Sequence, residues 1–174
     1  MRTPDSSWVP SVLAEYEQPL TRYAAHITGD AERAREVVQD TFLKLLRQKP
    51  AQIRDHLAQW LYTVCRNRAL DVLRKERRMT GISDAQLQLQ THSGPAVSAT
   101  LEQEEQLADV LNILSTLPAN QQEVIRLKFQ SDLSYQEISQ VTSLSVSNVG
   151  FLIHTGLKTI RERVHAQPAV RGVK

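Results

Sequence analysis

Two stretches of helical periodicity, separated by a polar stretch that has none, constrain the fold of this chain most. Apolar residues recur every three or four positions before residue 78 and again after residue 100. Residues 79–100 are rich in Gln, Ser and Thr and lose this pattern. Only 5% of residues are aromatic and only 6 are Gly, which favours helices over sheets. The sequence therefore predicts an all-α fold with two small helical domains, 1–78 and 101–166, a flexible linker, 79–100, and a tail, 167–174.

The first domain is predicted to contain three helices, over residues 11–27, 31–48 and 57–78. Gly29 can adopt the left-handed conformation that ends a helix, and Asp30 is suited to cap the next one. Pro50 ends the second helix, and residues 51–56 are predicted to form a short polar loop.

Two polar surfaces of this domain allow a bland and a functional interpretation. One face of the second helix carries Glu36, Gln39 and Asp40, and this face is either simply solvated or a docking surface. The end of the third helix is basic through residues 74–78, where Glu76 is the only acid. Such a cluster either binds phosphates or is a solvated helix end.

The strongest local signal lies in the second domain. Ser134 and Glu137 have the Ser-x-x-Glu spacing of a capping box, and a turn at 142–144 precedes a second cap at Ser145. A short capped helix, a turn and a longer helix are typical of a DNA-binding helix-turn-helix, although any helical bundle can contain two such helices. The outward face of the longer helix would present Ser147, Asn148, Phe151, His154, Thr155 and Lys158.

Composition excludes several kinds of site. Cys65 is the only cysteine, so an intrachain disulfide and a Cys-based zinc site are excluded, and it is predicted to be a core residue. The five His residues lack metal-binding spacing, and no Gly-rich phosphate loop occurs, so the sequence predicts no metal, cofactor or catalytic site. No apolar run approaches the roughly 20 residues of a membrane span, so we expect a cytoplasmic protein without membrane insertion.

Net charge is only +2, but it is distributed unevenly. Residues 1–78 carry 14 basic and 10 acidic residues, a balance of +4, whereas residues 79–166 carry 5 and 9, a balance of −4. This asymmetry indicates that the two domains have different tasks.

Three stretches, taken in order, resemble the extracytoplasmic-function (ECF) group of bacterial RNA polymerase sigma factors. They are residues 30–46, residues 60–78 and the segments of 117–149 that begin with Leu117-Pro118 and include the capping box. The resemblance covers about residues 12–164. It implies a sigma factor that binds core RNA polymerase and directs promoter recognition, DNA melting and transcription initiation.

The resemblance also implies a role for individual residues. Polymerase docking would use Glu36, Gln39 and Asp40. Contact with the promoter −10 region would use Ile53, Arg54, Asp55, His56, Arg66, Asn67, Asp71, Arg74, Lys75, Arg77 and Arg78. Contact with the −35 duplex would use Ser145, Ser147, Asn148, Phe151, His154, Thr155 and Lys158. The implied partners are core RNA polymerase, through its clamp coiled coil and flap, promoter DNA and, in many family members, an anti-sigma factor.

The chain departs from the family in the helix that begins after Ser145. Where the family usually has basic residues, this chain has Gly150, Leu152 and Thr155. The −35 contact is therefore expected to be weaker or to have an unusual sequence preference, and Phe151 is suited to contact a thymine methyl group.

Three other functions remain as alternatives. A conventional regulator would use only the second domain, as a dimer on a palindromic operator, but it would not need the polar face around Asp40. The residues of this chain give little support to a catalytic function. A pure adaptor of two helical domains would not need the basic cluster at 74–78.

Overall fold

The computed structural model describes residues 7–81 and 101–166, and in both ranges the regular secondary structure is helical. The helices are α1 (Val9–Thr28), α2 (Ala31–Leu45), α3 (Pro50–Ile53), a 3-10 helix (Arg54–His56), α4 (Leu57–Thr80), α5 (Leu101–Ser115), α6 (Ala119–Phe129), α7 (Tyr135–Thr142) and α8 (Val146–Ala166). The all-α class and the division into two helical domains are thereby confirmed.

Helices α1, α2 and α4 pack against one another and form the core of the N-terminal domain. Their buried side chains include Leu20, Leu45 and Leu61, each fully inaccessible to solvent. The predicted junction between α1 and α2 is confirmed. Gly29 has a φ of 70° and donates its N–H to the Ala25 carbonyl at 2.8 Å, while the Asp30 carboxylate caps α2.

Several predicted boundaries differ from the structure. Helix α1 spans Val9–Thr28 instead of the predicted 11–27, and α2 ends at Leu45, before the predicted residue 48. Residues 51–56 are not a loop, because α3 and the 3-10 helix occupy them. Ile53 is only 3% exposed, so burial of its side chain holds this segment against the core.

The third helix also extends beyond its predicted end. Helix α4 continues to Thr80 and ends at Gly81, whose φ of 68° gives the left-handed cap. The first two residues of the predicted linker therefore belong to α4. The rest of the predicted linker, from 82 to 100, and the predicted tail, 167–174, lie outside the described residues.

Helices α5 to α8 form the C-terminal domain, whose core includes Val124, Leu127, Ile138 and Val149. The capping box is confirmed. The Ser134 hydroxyl accepts from the N–H of Glu137 at 3.2 Å, and Glu137 accepts from the N–H of Ser134 at 2.8 Å.

The turn between α7 and α8 completes the helix-turn-helix. Ser143 has a left-handed backbone with a φ of 61°, and the hydroxyl of Ser145 accepts from the N–H of Asn148 at 3.1 Å. Helix α7 thus ends at Ser143, and α8 begins after the Ser145 cap with its N-terminus exposed.

The two domains pack together, which the sequence did not predict. Helix α7 of the C-terminal domain lies against α4 of the N-terminal domain. Tyr62 of α4 is 1% exposed, and Arg66, one turn later on α4, pairs with Glu123 of α6 at 2.7 Å. The basic end of α4 and the helix-turn-helix therefore belong to one packed unit.

Candidate polymerase and nucleic-acid interfaces

The three residues predicted to dock on polymerase lie on one face of α2. Glu36 and Gln39 are exposed, and Asp40, four residues after Glu36, is half-buried. The Asp40 carboxylate accepts a hydrogen bond from Arg68 Nε of α4 at 2.6 Å, with side-chain exposures of 38% and 41%. Asp40 is thus held in position by the helix that is expected to contact DNA.

This face also has an apolar member that the sequence pattern did not predict. Leu43, three residues after Asp40, is 57% exposed, and Leu46, three residues further, is 41% exposed. Leu43 falls outside the apolar stripe of α2, and that mismatch was the available signal. We call Glu36, Gln39, Asp40 and Leu43 the α2 face.

The segment before α4 offers three of its four predicted contact residues. Arg54, Asp55 and His56 are exposed on the 3-10 helix. Ile53 is in the core, so its predicted side-chain contact with DNA does not fit the structure, and its role here is to anchor the segment. The sequence could not separate these roles because Ile53 lies next to polar residues in a short segment.

The last turns of α4 form an exposed basic surface. Asn67, Arg74, Lys75 and Arg78 are exposed, and Arg77 is half-buried. Arg74 pairs with Asp71 of the preceding turn at 3.2 Å. The Arg74 side chain is 62% exposed and the Asp71 side chain is 59% exposed. Such an exposed pair is weak and leaves both groups able to exchange partners.

Arg66 differs from these residues because its guanidinium is already engaged. Its Nε and Nη2 donate to the Glu123 carboxylate of α6 at 2.7 and 3.2 Å, and each side chain is only 20% exposed. Burial opposes the charge of Arg66, but hydrogen bonding and attraction to Glu123 outweigh it and raise its pKa. The Tyr23 hydroxyl also donates to Glu123, at 2.7 Å, and burial beside that carboxylate raises the pKa of Tyr23 well above its usual value.

The longer helix of the helix-turn-helix, α8, exposes most of its predicted contact residues. Ser145, Ser147, Asn148, Phe151, His154 and Lys158 are exposed. Thr155 is half-buried and donates its hydroxyl to the Phe151 carbonyl at 2.8 Å, so that hydroxyl proton is not available to DNA. Lys158 approaches Glu162 at 4.0 Å.

The exposed side of the start of α8 combines the polar Ser147, Asn148 and His154 with an apolar surface around Phe151. From Val146 to Leu157 the helix has no Lys or Arg, and Phe151 is 64% exposed. Val146 and Tyr135, at 45% and 40%, extend this apolar surface, and the Tyr135 ring lies beside Gly150. Tyr135 and Val146 were not predicted as exposed contacts, since each occupies a first helical position whose direction the local pattern does not define.

Cys65 is a core residue, as predicted. It has no exposed surface, and burial raises the pKa of its thiol to about 12. The thiol is therefore protonated and inaccessible, unlike a nucleophile.

Comparison with known proteins identifies the family. The Sigma-70 region 2 family matches residues 12–79, and the Sigma-70 region 4 family matches residues 107–160. The ECF RNA polymerase sigma factor EcfG of Rhodopseudomonas palustris is 31% identical over 131 residues, which are 75% of this chain and 70% of that protein. The chain belongs to the ECF sigma factors.

Other relatives give the same result over more of the chain. The ECF sigma factor SigL of Mycobacterium tuberculosis is 28% identical over 162 residues, 90% of this chain and 89% of that one. SigM of Bacillus subtilis is 25% identical over 140 residues, 80% of this chain and 85% of that one. A solved structure of RpoE from Bartonella quintana with the anti-sigma factor NepR has the same fold, with a TM-score of 0.65, 22% identity and coverage of 91% of this chain and 97% of that one.

This ECF sigma factor binds core RNA polymerase and directs promoter recognition. Its relatives are transcription initiation factors rather than enzymes. The family match to region 2 as well as region 4 decides against a regulator that consists of a helix-turn-helix alone. Among the described helices, none has the length and hydropathy to cross a bilayer.

Proposed function

We propose that this ECF sigma factor acts as a non-enzymatic initiation factor, with docking and DNA contact assigned to separate surfaces of its helices. The α2 face binds the polymerase clamp coiled coil, the 3-10 helix and the basic end of α4 contact the −10 region, and the exposed side of α8 contacts the −35 duplex. The observation that carries this assignment is α4 itself. Its first half is buried in the core, and its last turns, with Arg74, Lys75 and Arg78, are exposed and basic.

The −10 assignment follows from electrostatics and reach. An exposed basic helix end neutralises phosphates, and release of their counterions makes binding depend on salt concentration. The exposed Arg54 and His56 lie immediately before α4, so the chain presents polar groups to the same DNA segment from both ends of the helix.

The docking assignment rests on the mixed chemistry of the α2 face. Glu36 supplies a negative charge for a basic partner, and the exposed Leu43 supplies apolar area that a partner can bury. Arg68 holds Asp40 at this face, so α2 and the DNA-contacting α4 are connected by a side-chain pair.

Salt dependence of promoter binding tests the −10 assignment. The variant Arg74→Ala with Lys75→Ala should lower the salt slope of holoenzyme binding by up to about 1.4, if each residue neutralises one single-strand phosphate. The control Arg22→Ala with Arg47→Ala removes the same charge from exposed positions on α1 and after α2. An equal change in both double variants, or none in the first, would refute the assignment.

Comigration with core polymerase tests the docking assignment. Leu43→Ser and Asp40→Ala should each weaken binding to core polymerase without loss of helix content, while Glu32→Ala, which changes an exposed residue at the start of α2, should not. Undiminished binding by both docking variants would show that another face docks.

Two further assignments complete the proposal. The RpoE structure contains the anti-sigma factor NepR, and we propose that an anti-sigma partner likewise covers the α2 face or the α4 surface of this chain. We place the protein in the cytoplasm because core polymerase acts there. Copurification from cells with and without tagged protein would identify such a partner.

A further inference from the structure

The contact between the domains centres on one carboxylate. Glu123 of α6 accepts hydrogen bonds from two nitrogens of Arg66 and from the hydroxyl of Tyr23. The side chains of Glu123 and Arg66 keep 20% exposure each, whereas the Arg68–Asp40 pair within the N-terminal domain keeps 41% and 38%. A bidentate, half-buried pair with a third hydrogen bond is more directional and less screened than a surface pair.

Other side chains give this contact a defined geometry. Tyr23 packs edge-to-face on Tyr62 with ring centroids 5.2 Å apart, and Tyr62 is only 1% exposed. Gln59 of α4 faces Gln136 and Ser139 of α7 across a cleft at the same boundary. The domains therefore meet through matched polar groups around Glu123 and not through an apolar surface alone.

We propose that Glu123 is a latch that keeps the free sigma factor closed and masks Arg66 from promoter DNA. The proposal rests on the −10 role proposed above for Arg66. A guanidinium that donates to both carboxylate oxygens of Glu123 cannot use the same N–H groups on a phosphate or a base. DNA contact through Arg66 therefore requires the domains to separate.

The latch lowers the DNA affinity of the free protein in a defined way. When only an open fraction of molecules binds, the apparent dissociation constant equals the intrinsic constant divided by that fraction. Weakening the latch raises the open fraction and so raises affinity without adding any contact. Glu123 is not expected to touch DNA, which makes a gain of affinity on its substitution a specific signature.

The distance between the domains is the first readout. Labels at Arg47→Cys and His165→Cys, both exposed positions, report the distance by energy transfer in the full chain. Cys65 stays unlabelled because it is buried and its thiol pKa is about 12. We expect Glu123→Gln to lower the transfer efficiency and Glu105→Gln, an exposed position on α5 with the same charge change, to leave it unaltered.

Affinity for DNA is the second readout. The probe is a short fluorescent single-stranded DNA of random sequence, with no polymerase present. Glu123→Gln should bind it roughly 3- to 10-fold more tightly than Glu105→Gln, the range expected when one charged hydrogen-bonded contact is weakened. Tyr23→Phe, which removes one hydrogen bond and keeps the ring, should act in the same direction with a smaller change.

A charge swap keeps the proposal falsifiable if Glu123→Gln is poorly folded. Glu123→Arg should open the chain. Arg66→Glu with Glu123→Arg should restore the transfer efficiency of the parent chain without a gain in DNA affinity, because the chain is closed again and residue 66 is acidic. Unchanged transfer in both Glu123 variants would overturn the latch. Opening without a gain of DNA affinity would overturn the masking of Arg66.

A further variant distinguishes failure of the latch from failure of the proposed −10 role of Arg66. It combines Arg66→Ala with the open variant Glu123→Gln. If the gain in affinity survives this addition, opening exposes DNA contacts other than Arg66, and the masking argument is wrong. If the gain disappears, both the latch and the role of Arg66 are supported.

Discussion

Two glycines in α8 offer a matched test of the packing around the helix-turn-helix. A Cβ atom added at Gly150 would lie 3.5 Å from Cε2 of Tyr135, an ordinary contact. A Cβ atom added at Gly156 would lie 2.5 Å from Cδ1 of Ile125, which is 5% exposed. The same substitution should therefore stabilise the protein at Gly150 and fail to do so at Gly156.

The magnitudes follow from two opposing terms. Replacing Gly by Ala in a helix gains about 1 kcal/mol of unfolding free energy. At Gly150 nothing offsets this gain, so Gly150→Ala should stabilise the protein by about 0.5–1 kcal/mol and raise Tm by roughly 1–4 °C. At Gly156 the forced shift of Ile125 costs about 1–3 kcal/mol, so Gly156→Ala should be neutral or destabilise by up to about 2 kcal/mol.

Urea denaturation followed by far-UV circular dichroism measures both variants. The difference in unfolding free energy between them should be about 0.5–3 kcal/mol, with Gly150→Ala the more stable. A shift of the urea midpoint without a change in the m value identifies a change in stability. Equal stability of the two variants, or a less stable Gly150→Ala, would refute the packing argument.

Three further predictions concern single side chains. Cys65, buried and with a thiol pKa of about 12, should be alkylated only as fast as the protein unfolds; rapid alkylation of the native protein would contradict its burial. Burial lowers the pKa of Arg126 to about 10, and its Nε has no hydrogen-bond partner among the described residues. A lowered pKa means that the fold penalises the charged guanidinium, so this cost is present below about pH 10 and is relieved as the pH rises above it. Arg126→Met should therefore raise the unfolding free energy by about 1 kcal/mol at neutral pH, after allowance for solvent screening, as measured by thermal denaturation; lower stability would reveal a partner for Arg126. Replacing thymine by deoxyuridine in a −35 duplex should weaken holoenzyme binding for the parent chain and for Phe129→Ala, whose Phe is 61% exposed on α6, but not for Phe151→Ala; equal sensitivity of Phe151→Ala would exclude the methyl contact.

The features that sequence predicted best depend on residues close together in the chain. Asp30 caps α2 by accepting from Arg33, and Ser134 and Glu137 cap α7, so each motif is complete within four residues. Short-range hydrogen bonds of this kind are decided locally, whatever the rest of the fold does. The helix-turn-helix was therefore predictable from its caps and its apolar stripe.

The features that sequence missed depend on distant residues. The segment before α4 looked like a polar loop because the partners that bury Ile53 belong to other helices. The domain contact was invisible for the same reason, since Glu123 is 57 positions from Arg66 and 100 from Tyr23. Nothing in the sequence on either side of Glu123 distinguishes it from an ordinary solvated acid.

The composition of α8 and the Glu123 latch together indicate how affinity for promoter DNA is divided between the two domains. Helix α8 has no Lys or Arg before Lys158, so it neutralises few phosphates and should contribute a weak and nearly salt-independent contact. Strong binding must then come from the N-terminal domain and from holding the second contact at high effective concentration. That arrangement makes promoter binding depend on whether the domains are packed together or apart. Substitution of Glu123, the side chain that joins them, should therefore change affinity for the −10 region more than substitution of any single α8 residue changes the −35 contact.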